Sequence, residues 1–331
     1  MSEPAVVILL SSYNGARYIE EQIESIRAQT FREWRLLIRD DGSSDQTRSI
    51  VRKHTLLDDR IEFLTDNLGN LGPWGSFAFL LSAATKADAA YVFLADQDDV
   101  WLASKIENQL AALRGVEELH GRGHPVLVHS DLELVDDKLS PLHRSFREFQ
   151  GITHDSDDPL RTLLLHNAVV GCTVGINRAL LSVAVPLPRD SPHDWWLGLC
   201  AAATGTVLSS NERTVKYRQH ESNAIGAPGK RGFVGRLLRH PAVFISESLA
   251  AFEVGVRQSG ELAERISARG LGSQTTQRRP GDYAEAFGPQ PLRSRIRSLR
   301  ASGATPRRPL SRLLLLGIVA VLPHWRARRT V

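Results

Sequence analysis

The sequence predicts an α/β fold: a mostly parallel sheet flanked by helices, followed by a basic, mostly helical C-terminal extension. Three observations predict it. Short apolar runs alternate with helix-period segments through the first half of the chain, the pattern of parallel strands joined by crossover helices. Polar and acidic clusters follow the first, second and fourth of those runs, where an open α/β sheet binds its ligands. The charge also divides. Residues 228–331 hold 19 Lys and Arg against 6 Asp and Glu, whereas residues 1–227 hold 22 against 31.

The elements follow in order. Val6–Ser12 reads as a buried strand, and Ile19, Ile23 and Ile26 mark a helix reaching about Gln29. Trp34–Arg39 is a second strand. Ser43-Ser44-Asp45-Gln46 has the form of a capping box, opening a helix to about His54. Ile61–Leu64 is a third strand, and the loop Asn67–Pro73 has the Gly and Asn content that suits backbone approach to a ligand. A helix from about Trp74 to Lys86 precedes the strand Tyr91–Ala95. Ile106, Leu110 and Leu113 mark the next helix, and Val126–His129 the next strand. Beyond these, Leu160–Leu165 and Trp195–Ala203 read as helices, Val169–Ile176 and Thr214–Tyr217 as strands. We divide the chain into a domain at 1–227 and an extension at 228–331, with a flexible linker at about 270–291. Leu310–Leu322 is a short apolar stretch among arginines: a helix packed on the domain, or one lying on an anionic membrane surface.

Composition narrows the class. A chain of 331 residues, 42% apolar, can bury a large core. Cys172 and Cys200 sit in apolar runs and read as buried thiols. No run is long enough to span a bilayer and no secretory signal is expected, which points to a cytoplasmic protein. The Arg-rich tail has no interleaved aromatics, so nucleic acid is not the expected partner.

Asp96-Gln97-Asp98 carries the strongest chemical signal. Alternate residues of an extended segment share a side, and two carboxylates there repel unless a cation lies between them. Oxygen ligands favour Mg²⁺ or Mn²⁺. Asp99 has the position of a structural residue, capping the next helix. Asp40 and Asp41 suit a ribose or base contact, or an Asp-Gly turn beside Gly42. Tyr13 suits a base-bordering ring or ordinary packing. Asp194, within His193-Asp194-Trp195-Trp196, is positioned for a helix cap or a general base. His220, after a short strand, is an additional candidate for the metal or a phosphate.

Taken together, the motifs resemble the family 2 glycosyltransferases of GT-A fold. The carrying segments are Val7–Gly15 (VILLSSYNG), Gln29-Thr30-Phe31, Trp34–Asp45 (WRLLIRDDGSSD), Asn67–Gly72, Ala95–Trp101 (ADQDDVW), Gly171-Cys172-Thr173, HDWW at 193–196 and YRQHESN at 217–223. The DQDDVW and HDWW forms resemble a rhamnosyltransferase-like branch that builds bacterial polysaccharides. The resemblance implies that Ser11, Tyr13, Asp41, Asn67 and Asp96 border a nucleotide-diphosphate sugar. It implies that Asp98 and Asp96, with His220, face the metal, and that Asp194 is the base of an inverting transfer to a lipid-linked or growing glycan at the inner face of the plasma membrane. Two other classes stay open on the residues alone: a metal-dependent sugar nucleotidyltransferase, which would release diphosphate, and a non-catalytic nucleotide-sugar-binding protein.

Overall fold

The computed structural model describes residues 6–152, 157–220, 241–306, 312–313 and 315–320. In chain order the described elements are β1 (Val6–Ser12), α1 (Ile19–Arg27), β2 (Trp34–Asp40), α2 (Thr47–Leu57), β3 (Ile61–Leu64), α3 (Gly72–Lys86), β4 (Tyr91–Asp96), β5 (Val100–Trp101), α4 (Lys105–His120), β6 (Val126–Val135), β7 (Pro141–His143), α5 (Phe146–Gln150) and α6 (Pro159–Leu165). A 3₁₀ turn at Gly171–Thr173 leads to β8 (Val174–Asn177), α7 (Arg178–Ala184), α8 (His193–Thr204) and β9 (Thr206–Arg218). Three more helices follow: α9 (Pro241–Arg269), α10 (Gln274–Glu285) and α11 (Leu292–Ser302).

One sheet runs β3-β2-β1-β4-β8-β6-β9-β5, with β7 on β6. The half built from β1 to β4 is parallel, and β8 runs antiparallel between β4 and β6. Period-two alternation splits β1 between two cores. Val6, Ile8 and Leu10 join α1 and α4 in one, while Val7 and Leu9 join α3, α7 and α8 in the other. Burial on both faces is why these strands read as unbroken apolar runs. In α1 the buried stripe is Ile19, Ile23 and Ile26, with Glu20 and Glu21 in the first turn, where the helix dipole favours them.

The structure departs from the sequence reading in several places. The segment Ser43–Gln46 does not form a capping box: the N-cap of α2 is Gln46, without a side-chain bond. Asp45 does that work from one residue earlier, accepting from the Thr47 backbone N–H at 3.0 Å. Val169–Ile176 is a 3₁₀ turn followed by a four-residue strand. The stretch expected as a linker at about 270–291 holds α10, which a reciprocal Ser273–Thr276 capping box opens. The extension also shares the domain's core: Val256, Leu262, Ile266, Tyr283, Phe287 and Leu299 belong to one buried cluster with Trp195 and Trp196. Leu262, Ile266 and Phe287 are completely buried, and each side chain contributes about 1.5–3 kcal/mol. The boundary expected at 227/228 lies outside the described residues.

Candidate functional site

The ends of β1, β2 and β4 form one rim. In the sheet register Ser11 lies opposite Asp96 and Ser12 opposite Asp40, so the three polar clusters are neighbours. Asp96 is the last residue of β4. Partial burial, and then the negative charges of Asp98 and Asp194, push its carboxyl up to about 7. Carboxylates from β4, the loop after it and the first turn of α8 therefore repel one another at one place. Asp194 lies in that first turn, with Oδ1 accepting from the Trp195 N–H at 2.7 Å.

His220 Nε2 and Asp98 Oδ2 are 2.9 Å apart, and the His220 ring stacks on Tyr18 with centroids 4.8 Å apart. Arg218, at the end of β9, locks the acidic loop: its Nε donates to the Asp98 carbonyl at 2.9 Å and its backbone N–H to Asp99 Oδ1 at 3.3 Å. Asp99 does not cap a helix, since Ser104 precedes α4. It is fully buried, and burial followed by Asp98 and Asp96 raises its carboxyl well above the ordinary range.

Ligand-capable atoms of Asp96, Asp99 and Cys172 lie within 4.8 Å of one another. Lys105 is fully buried nearby, with its ammonium lowered to about 7 by burial while Cys172 and Asp99 oppose that shift. Its described hydrogen bond goes to Gln109 Oε1 at 2.8 Å. Asp96 and Asp98 repel each other, and a divalent ion beside His220 would relieve that repulsion. An oxygen-rich donor set with one imidazole fits Mg²⁺ or Mn²⁺.

Tyr13 and Asp41, expected to border a nucleotide, are held by two residues that the sequence reading did not select. Gln97 clamps the Tyr13 backbone: its Oε1 accepts from the Tyr13 N–H at 2.8 Å and its Nε2 donates to the Tyr13 carbonyl at 3.0 Å. The Tyr13 side chain is 49% exposed, free to border a ligand. Arg39 is fully buried in β2. It donates to Asp41, to Asp66 at 2.8 Å, to the Gly69 carbonyl at 2.9 Å and to Ser76 at 3.2 Å, and Ser76 accepts from Ser11 at 2.7 Å. One Asp41 oxygen is thereby committed to Arg39 and to the Leu71 N–H. Asp40 is the turn residue, accepting from the Gly42 and Ser43 N–H groups and from Arg48. Asn67 is exposed on the loop that Arg39 anchors and has no described contact with the acidic cluster. Two cavities, of about 470 and 460 Å³, open elsewhere; neither is lined by Asp96, Asp98, Asp99 or Asp194.

Residues 7–118 match the family described as glycosyl transferase family 2. The chain carries a family 2 glycosyl transferase domain. That span takes in β1 to β4 and the acidic loop. The chain is 27% identical over 225 residues to the UDP-Glc:alpha-D-GlcNAc-diphosphoundecaprenol beta-1,3-glucosyltransferase WfgD of Escherichia coli, covering 67% of this chain and 80% of that one. It is 25% identical over 228 residues to the dTDP-rhamnosyl transferase RfbG of Shigella flexneri, covering 66% and 74%. The chain shares its GT-A fold with the crystal structure of S. aureus TarS 1–349, with a TM-score of 0.50, 16% identity and 90% of each chain covered. Asp194 and His220 lie outside the matched span, and the fold brings them to it.

Proposed function

We propose that this glycosyltransferase moves a sugar from a nucleotide-diphosphate sugar to an acceptor hydroxyl with inversion at the anomeric carbon. The observation that carries the reading is that the fold brings Asp194, from an element almost a hundred residues away, close enough to Asp96 for its charge to act on that carboxyl together with Asp98. Asp194 accepts the acceptor's proton as its oxygen attacks. Ser11, Tyr13, Asp41 and Asn67 border the nucleotide, with Tyr13 and Asp41 held in place by Gln97 and Arg39. Asp96, Asp98 and His220 hold Mg²⁺ or Mn²⁺, which when bound neutralises charge on the departing diphosphate. The acceptor is a lipid-linked or growing cell-surface glycan reached from the cytoplasmic side, with peripheral membrane contact through the C-terminal segment. The name of the Escherichia coli relative supports a lipid-linked acceptor, and the two relatives' names differ in the sugar, so a dTDP-rhamnosyl donor and a UDP-glucosyl donor head the panel to be tried.

Asp194→Asn tests the reading. A general base contributes about 10²- to 10⁴-fold, so transfer should fall by that factor while nucleotide affinity measured by titration calorimetry stays within twofold or so. Near-normal turnover would remove Asp194 from the mechanism, and release of diphosphate in place of nucleoside diphosphate would replace transfer with nucleotidyl chemistry.

A further inference from the structure

The outer face of α11 has a different chemistry from the rest of the surface. Arg293, Arg297 and Arg300 recur at i, i+4 and i+7, one helix face, and all three are exposed. The helix contains no acidic residue, and among the described residues none of these three forms an ion pair. Glu285, the nearby acid on α10, accepts from Ser298. The opposite face is fixed: Leu299 and Ser302 are buried, and buried Arg295 donates to the Val319 carbonyl at 2.7 Å. That bond brings the helical residues 315–320 against α11. There Leu315 and Val319 are buried, while Leu313 and Leu316 face outward at 67% and 40% exposure, and Leu292 opens α11 at 44%.

We propose that this face, Arg293, Arg297 and Arg300, together with the exposed Leu313 and Leu316 of the segment that packs on α11, docks on an anionic phospholipid surface. Three guanidinium groups with no ion pair among the described residues favour a sheet of phosphates, and outward leucines gain by entering the headgroup boundary. A nucleic-acid partner would call for exposed rings to stack on bases, yet Tyr283 and Phe287 of this region are buried. The proposal names the part of the C-terminal segment that makes the membrane contact put forward above, and it requires neither donor nor acceptor.

Co-sedimentation of the full chain with vesicles tests it. The protein should pellet with phosphatidylcholine vesicles containing phosphatidylglycerol, be released by salt, and stay in solution with phosphatidylcholine alone. The Arg293→Gln, Arg297→Gln, Arg300→Gln triple variant should partition about a hundredfold less well, from the usual contribution of one basic residue near such a surface. Its circular dichroism should match the wild type, because all three positions are exposed. Leu313→Ser with Leu316→Ser should weaken binding without changing its salt dependence. Wild-type protein that ignores anionic vesicles, a triple variant that pellets as before, or duplex DNA that displaces the protein from vesicles would each overturn the assignment. Since the assay reads binding alone, an inactive enzyme that still pellets would count against the catalytic reading and not against this one.

Discussion

Replacing Arg39 with methionine should destabilise the region around Asp41. The guanidinium is fully buried and joins Asp41, Asp66, Ser76 and the Gly69 carbonyl. Methionine keeps most of the volume and removes the charge, leaving the 3% exposed Asp41 carboxylate with the Leu71 N–H as its remaining described partner. Removing one member of a buried ion pair costs about 3–5 kcal/mol, because the other charge stays desolvated. At roughly 2–4 °C per kcal/mol for a domain of this size, melting should fall by on the order of 10 °C. Scanning fluorimetry at neutral pH would read the shift. Adding Asp41→Asn to the variant should restore part of it, since the stranded charge goes too. A variant that melts within about 2 °C of wild type, or a double variant no more stable than the single one, would refute the claim that a desolvated charge holds this region together.

Other expectations concern the site and the fold. Gly15→Ala would put a Cβ 2.1 Å from Gln97 Oε1 and displace the clamp on Tyr13, so donor affinity should drop about as far as in Gln97→Ala, and the double variant should lose no more than the single ones if the clamp is the cause. Asp98→Ala should abolish the Mn²⁺-dependent part of donor binding in titration calorimetry, and His220→Gln should weaken it by a smaller factor. Arg60 is the main reason Asp58 falls to about 2, so its stabilisation is present above the unfolded value near 4 and is lost as pH falls from there toward 2. Asp58→Asn should therefore cost about 2 kcal/mol at pH 7, and the gap between variant and wild type in urea unfolding should close by pH 2.

The parallel half of the sheet was legible because strands buried on both faces cannot hide their apolar runs. What escaped were short or locally contradictory segments. β5 and β7 span two and three residues, too few for any periodicity. α10 carries Pro280 inside it and is arginine-rich, which reads as a loop, yet its Ser273 cap and the burial of Tyr283 and Phe287 stabilise it as a helix. At the candidate site, Asp96, Asp98 and Asp194 stand out in the sequence as charged residues at strand and helix ends. Their supports do not. Gln97 meets Tyr13 84 positions away and Arg218 reaches Asp98 across 120, pairings that spacing cannot reveal. Arg39 did leave a trace: a full charge inside WRLLIRD, at a position that a buried strand gives up only when ion pairs compensate it.

The neighbour of Asp194 ties chemistry to the far end of the chain. Trp195 donates its indole N–H to the Leu163 carbonyl at 2.6 Å, and its ring lies so near Gly255 of α9 that a methyl group there would come within 2.5 Å of it. A bulkier residue at position 255 would lever α9 away and tilt the first turn of α8, and with it the proposed proton acceptor. Damage to a helix that touches no substrate could thus surface as lost turnover, making Gly255 a remote fulcrum for the reaction.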